Sequence, residues 1–212
     1  MRILAIADAV SPFVYSDNFP DNLPPFDLVL SAGDMPGHVL EFLATRLTVR
    51  PMYVLGNHAD GYLRHHDDDF LLPTLSLPGG CLNIHANVVE EAGLLIAGIE
   101  GSARYRPGPH QYSAFEMERF AAGLAPRLAW NRMRHGRALD VLLTHAPPEG
   151  PHAGSDRPHR GVAAFNRIHR WWRPKLHIHG HVHLNGANAA REYLSREGVR
   201  VVNAYGFVLI EL

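Results

Sequence analysis

The chain has 212 residues, 46% of them hydrophobic and 19% charged, with a formal net charge of −1 when its histidines are neutral. That length and composition suit one large α/β domain with a full apolar core, and the neutral balance gives no global attraction to nucleic acid or to an anionic membrane. Cys81 is the only cysteine, so an internal disulfide and a thiolate metal site are both excluded.

Ile3–Ala7 reads as a first strand and runs into Asp8. Asp8 interrupts this run too early for a signal-peptide core. No stretch reaches the roughly 18 uninterrupted apolar residues of a membrane span, and a cytoplasmic protein is expected. Leu28–Ser31 is a second strand that runs into Gly33–Asp34. After the Pro36–Gly37 turn, Val39–Leu47 has a helical pattern. Met52–Leu55 runs into Gly56–Asn57–His58. Strands alternating with helical segments imply parallel pairing. Asn83–Glu90 and Gly93–Ile99 read as two strands joined at Glu91–Ala92. Ser113–Trp130 is the longest helical candidate, with Phe115, Phe120 and Leu124 near helical spacing and Pro126 expected to bend or end it. Val141–Thr144 runs into His145. Gly161–Trp172 is a further helix with Val162, Phe165, Ile168 and Trp172 as its apolar stripe. Leu176–His179 runs into Gly180–His181–Val182–His183. The tail holds strands at Val199–Val202 and Phe207–Ile210, separated near Tyr205–Gly206. No linker, repeat or charged tail divides residues 1–212, so a single domain is expected.

Five strands thus end on Asp, Asn or His. In open α/β sheets ligands bind beyond the carboxyl ends of the strands, so these ends would converge on one site. A lone Gly-Asp is usually a turn and a lone buried histidine is usually a hydrogen-bonded core residue; only the joint occurrence, in order, points to chemistry. The histidine total, 15, fits that reading, since histidine is the commonest metal ligand. Carboxylate, amide and imidazole ligands without sulfur suit Mn, Fe, Zn, Co or Ni and admit Mg. Two metals about 3.5–4 Å apart would stabilise both oxygens of an in-line displacement, and water bound to them ionises near neutral pH. His181 and His183 lie two apart, so on extended backbone both side chains face one way.

The order Asp, Gly-Asp, Gly-Asn-His, lone His and Gly-His-x-His resembles the calcineurin-like metallophosphoesterase superfamily over residues 3–183. The resemblance implies a four-layer α/β/β/α sandwich of two mixed sheets with a dinuclear centre that hydrolyses phosphomonoesters or phosphodiesters. It implies that Asp34 bridges two metals. Asp8 and His183 complete one half-site, and Asn57, His145 and His181 the other. It makes His58 the catalytic histidine that protonates the leaving oxygen, assistance typically worth about 10²–10⁴-fold. One or two divalent transition metals (Mn, Fe, Zn or Ni) are implied, with a small phosphoester as substrate and phosphodiesters first.

The sequence departs from that pattern twice. The family usually has Asp-x-His in its first motif, and here the segment is Asp8–Ala9–Val10. A carboxylate commonly follows Gly-Asn-His directly, and here Ala59 precedes Asp60. Valine cannot ligate. The first site then holds its metal weakly, or only the second site is filled, or a histidine from another loop (His152, His159 or His110) fills the gap. Metal binding with a weakened first site is the expectation.

Secondary features have blander readings beside the functional ones. His65–His66–Asp67–Asp68–Asp69 is either a solvated loop or a rim of the site. Arg104 and Arg106 could clamp a phosphate or be surface arginines. His159, in Asp156–Gly161, lines a substrate entrance or belongs to a helix amino-terminal segment; Asn57 could also touch a substrate oxygen. Trp130 among Arg127, Arg132, Arg134 and Arg137 is read as a solvated helix face rather than a single-strand platform. Nucleophile-elbow, phosphate-loop, dinucleotide and His-Glu-x-x-His motifs are absent. The reading is a metal-dependent phosphoesterase. The alternatives are a regulatory or scaffold homologue that binds a phosphorylated ligand or protein, favoured by Val10, and a nuclease, for which nucleic-acid binding is not expected from the charge.

Overall fold

The structure, a computed structural model, describes residues 1–58, 77–184 and 189–212, together with the backbone of two short strands, β4 (Leu63–Arg64) and β5 (Thr74–Leu75), which pair antiparallel. The His65–Asp69 run and Asp60 lie outside the described residues.

Alternation along β1 (Arg2–Ala7) sets the architecture. Ile3, Ala5 and Ala7 join one apolar cluster, while Leu4 and Ile6 join another. A strand with apolar residues on both faces is covered on both faces. β1 pairs in parallel with β2 (Leu28–Ser31), which continues through β3 (Met52–Tyr53) to β6 (Leu82–Asn83). On its other side β1 pairs antiparallel with β15 (Gly206–Glu211), which closes a five-stranded mixed sheet.

β9 (Ser102–Ala103) and β10 (Gln111–Tyr112) form a separate short parallel pair, and the second sheet has six strands. β8 (Leu94–Ile99), β11 (Val141–Thr144), β12 (Leu176–His179) and β14 (Arg200–Asn203) run parallel. The antiparallel edges are β7 (Asn87–Glu91) and β13 (Glu192–Leu194). Ile3, Leu30 and Met52 from the first sheet meet Ile96, Leu143 and Ile178 from the second in the layer between them. Helix α1 (Gly37–Arg46) and the segment around Phe19 cover the outer face of the first sheet. Helices α2 (Ala114–His135) and α3 (Ala163–Trp172) cover the outer face of the second. The result is the four-layer α/β/β/α arrangement of two mixed sheets.

Two elements differ from their sequence reading. Asn83–Glu90 is not one strand: β6 ends at Asn83 in the first sheet, and β7 begins at Asn87 in the second. Between them Ala86 takes φ 51°, a left-handed conformation that redirects the chain. Pro126 does not end α2, which runs on to His135. Met117, Ala121, Leu124 and Leu128 are buried along it on both sides of the proline. Each buried leucine contributes about 1.5–3 kcal/mol, enough together to offset the roughly 3 kcal/mol cost of an interior proline. The Ser113–Glu116 capping box fixes its start, and Phe115 points outward at 72% exposure rather than into the core.

On β12, Leu176 and Ile178 face the inter-sheet core, so His177 and His179 face α3. Thr144 donates to the Ala146 carbonyl at 2.6 Å, so its oxygen accepts from His177 Nε2 at 2.8 Å. His177 Nδ1 must then accept from His169 Nε2, also at 2.8 Å. His179 Nδ1 donates to the Gly180 carbonyl at 2.9 Å, and its Nε2 meets His152 Nδ1 at 2.7 Å. Four histidines are thus buried and bonded behind the strand. Burial holds His179 down to about 3 and His169 down to about 4, and pushes His177 well below the ordinary range.

Candidate metal centre

The carboxyl ends of β1, β2, β3, β11 and β12 meet at one edge of the sandwich. Three of the residues that arrive there have left-handed backbone: Asp8 at φ 63°, Asp34 at φ 52° and His181 at φ 66°. For non-glycine residues such conformations cost on the order of 1–3 kcal/mol and are kept where surrounding structure enforces them. Here the bends turn side chains away from the strand alternation. Two glycines permit the close approach. A Cβ on Gly56 would lie 2.1 Å from Asp34 Oδ1, and one on Gly180 would lie 2.6 Å from Asp8 Oδ2.

Asp8, Asp34 and His145 each place a ligand atom within 4.8 Å of the others. His145, fully buried, has Nδ1 2.8 Å from the Ala32 carbonyl. That carbonyl only accepts, so Nδ1 carries a proton. Nε2 then faces Asn57 Oδ1 at 3.0 Å and Asp34 Oδ2 at 3.2 Å. The Asn57 amide nitrogen is turned away, donating to the Tyr105 hydroxyl at 3.3 Å. A neutral His145 would therefore aim its lone pair at two oxygen acceptors, which is favourable only with a cation or an extra proton among them. This donor set fits a divalent transition metal.

Without a metal, a proton takes that role. Burial works to lower the His145 pKa, but the Asp34 and Asp8 carboxylates outweigh it and hold it raised. Burial works to raise Asp34, and the His145 charge and hydrogen bond, with the His58 N–H, bring it below its usual value. Asp8 stays raised because burial dominates its partners.

The other sequence candidates fall into distinct places. The His58 N–H donates to Asp34 Oδ1 at 2.9 Å, and the residue itself is exposed. The His181 N–H donates to both Asp8 oxygens, at 2.9 and 3.1 Å. Its ring Nε2 is held 2.8 Å from the Pro158 carbonyl, which leaves Nδ1 as its ligand atom. Burial and then the His145 charge push its pKa down to about 3, so the ring is neutral. His183 is not brought into the Asp8–Asp34–His145 group; it is exposed, with its ring 4.7 Å from that of Tyr205.

Val10 is 42% exposed, and none of the three loop histidines joins the group in its stead. His110 bonds Glu100, His152 bonds His179, and His159 bonds Asp156. The His159 ring does lie 5.3 Å from that of His181. Arg104 is engaged by the Gln111 carbonyl and by Glu116. The Arg106 guanidinium lies over the Tyr105 ring at 5.4 Å.

Sequence reasoning missed three contributors. Tyr105 holds Asn57, and its only signal was its place between two singled-out arginines. Glu100 and Asn203 end β8 and β14, so the strand-end rule applies to both of them. Glu100, 6% exposed, accepts from Tyr112 at 2.6 Å and from His110 at 2.9 Å, anchoring the segment that carries Tyr105. Asn203, buried, donates to the Val182 carbonyl at 2.7 Å and steadies the turn after His181.

Comparison with known proteins bears on the fold and the family. A curated relative, the UPF0046 protein T07D4.2 of Caenorhabditis elegans, is 28% identical over 76% of this chain. The match takes in 47% of that relative, so the chain spans about half its length. A solved structure, TT1561 of Thermus thermophilus, superposes with a TM-score of 0.55 at 15% identity, covering 96% of this chain and 88% of that one. Another crystal structure reaches a TM-score of 0.62 at 15% identity, covering 99% and 94%. At these identities the likeness is one of fold. The sequence signature of the calcineurin-like phosphoesterases matches residues 1–185; the chain belongs to that family.

Proposed function

We propose that this protein is a metal-dependent phosphoesterase acting on phosphodiesters, with one firm metal position and one weak one. The observation that carries the reading is His145 Nε2, facing Asn57 and Asp34 oxygens at a point where a cation, or else a proton on the ring, must stand. Asp34, Asn57, His145 and Nδ1 of His181 would hold the firm metal. Asp8, with Asp34 shared, would hold the weak one, lacking the imidazole that Val10 replaces. A bound divalent metal supplies positive charge to phosphoryl oxygens and lowers the pKa of water.

The chain's own groups do the rest. The Asn57 amide, fixed by Tyr105, orients a phosphoryl oxygen. His58, exposed beside Asp34, gives a proton to the departing alcohol. The Pro158 carbonyl fixes the His181 tautomer, so that Nδ1 stays unprotonated. No helix among the described residues is long and apolar enough to cross a membrane.

Hydrolysis of bis(4-nitrophenyl) phosphate across Mn, Fe, Ni and Mg tests the reading. Activity should require metal, and His58→Ala should lower it by about 10²–10⁴-fold with metal content unchanged. Full activity in that variant overturns the assignment of His58. A second reading, a binder of phosphorylated ligands, is favoured by the exposed Val10 and by the His183 ring lying against Tyr205. No turnover with any metal, together with tight phosphate-ester binding, would select it.

A further inference from the structure

A net charge near zero conceals an uneven distribution. Residues 119–139 hold Arg119, Arg127, Arg132, Arg134 and Arg137 and neither Asp nor Glu. Residues 167–175 add Arg167, Arg170, Arg173 and Lys175, again without an acid. These stretches are the carboxyl-terminal parts of α2 and α3 with the turns that follow them. α2 leads into β11 and α3 into β12, so both helices end where those parallel strands begin. That edge is opposite to the strand ends that carry the metal centre.

Large apolar side chains stand out of this basic ground. Trp130 is 60% exposed, Met133 80% and Trp171 60%. Trp130 and Met133 lie three residues apart and share one face of α2, away from the buried Leu124 and Leu128. Arg132 donates to the Trp171 carbonyl at 2.8 Å and covers the Trp172 ring at 5.1 Å, which ties the two helix ends together. Arg127 and Arg134 flank Trp130 along its own face of the helix, and Arg170 and Arg173 flank Trp171 in the chain. All four are exposed, and their side chains make no ion pair or hydrogen bond to any described residue. The neighbouring acids are engaged elsewhere. Asp140 is buried between Arg137 and Lys175, Glu118 pairs with Arg167, Glu90 acts on Arg137 and Glu197 on His169.

We propose that this face docks the protein on an anionic lipid surface, lying on it without spanning it. Charge complementarity selects the partner, since free arginines beside a negative headgroup layer are attracted to it. The apolar side chains select the same one. Tryptophan settles where hydrocarbon meets headgroups, and bulky apolar residues ringed by arginines on a helix face are how proteins lie in that interface. A second copy of the chain across a two-fold axis would set these arginines against their own counterparts. Single-stranded nucleic acid takes a basic groove lined with ring faces, and Met133, the most exposed of the three, offers no plane to a base. Docked in this way, the strand ends that carry Asp34 and His145 face away from the lipid.

Vesicle sedimentation of the full-length protein, read together with its tryptophan emission, tests the proposal. The probes are vesicles of phosphatidylcholine alone and of phosphatidylcholine with phosphatidylserine. The protein should bind the anionic vesicles with a blue shift of emission and should bind the neutral ones at least about tenfold more weakly. Trp130→Ala/Trp171→Ala should weaken anionic binding by at least about tenfold, and Arg127→Gln/Arg134→Gln/Arg170→Gln by on the order of a hundredfold. Both variants change exposed side chains only, and thermal unfolding shows that each is folded; should one fail to fold, the other decides. No binding of the wild type to anionic vesicles, or unchanged binding in the folded variants, overturns the proposal. Tighter binding to a single-stranded oligonucleotide than to vesicles, or a dimer in solution that Trp130→Ala/Trp171→Ala abolishes, also overturns it by naming another occupant.

Discussion

Two groups of histidines lie on the same strand and its continuation, and they do opposite work. His177 and His179 belong to the extended part of β12, where alternation delivers them behind the sheet onto α3. Both ring nitrogens of each are bonded, those of His177 to Thr144 and His169 and those of His179 to His152 and the Gly180 carbonyl, and burial keeps them neutral. His181 is two residues further on, but its φ of 66° breaks the alternation and swings it to the acids at the strand ends. Residue type does not separate the two groups. Backbone conformation does, by choosing whether a histidine packs behind the sheet or stands at the strand ends, its N–H on Asp8 and its ring beside that of His145.

That contrast can be broken from either side. The largest effect is expected at the acids. Asp34→Asn keeps a residue type that tolerates left-handed backbone but removes the charge that His145 and any metal require. Phosphodiester hydrolysis should fall to background while the protein stays folded, measured by turnover beside thermal unfolding. On the other side, His177→Ala should cost about 3 kcal/mol of stability, because it leaves a cavity and strands His169 and Thr144. Denaturant unfolding would show this, and turnover per folded molecule should hold.

A pH titration comes next in size. His169, His177 and His179 have folded pKa values below the ordinary histidine value near 6.5, so below that pH the unfolded chain binds protons that the native chain refuses. Stability should be fully present above about pH 6.5 and decline toward about pH 4, with a slope approaching 1.4 kcal/mol per pH unit for each histidine. Unfolding free energies that stay flat across that window would mean these rings are already charged in the native state. The smallest effect is expected at Val10. Val10→His should raise the metal-to-protein ratio after purification without shifting the unfolding midpoint by more than the added metal accounts for.

The layers and the meeting of the strand ends were legible because apolar runs ending on polar residues carry both at once. Asp8, Asp34, Asn57 and His145 were readable for that reason. What alternation could not show was the direction taken after a strand stops. It placed His181 and His183 together, two residues apart; His181 takes left-handed backbone, and the His183 ring lies by Tyr205 with its charge still felt at Asp8. The break between β6 and β7 was hidden for the same reason, since Ala86 looks like any strand residue until its φ is known. Glu100 and Asn203 obey the rule used for the other strand ends, but each bonds a neighbouring chain segment rather than the acids and His145, a difference that strand pattern does not encode. Tyr105 depends on a tertiary contact with Asn57 and leaves no periodic trace.

The contact between the His181 N–H and Asp8 closes across 173 residues of sequence, and the acids that would share a metal with His145 come from the other sheet. Any cation held there fastens the first sheet to the second. Such a clip removes more freedom from the unfolded chain the longer the loop it closes. Chelation should therefore loosen the open edge of the sandwich before it disturbs either helical layer, and hydrogen exchange at Ala32 and Gly180 would register that loosening first.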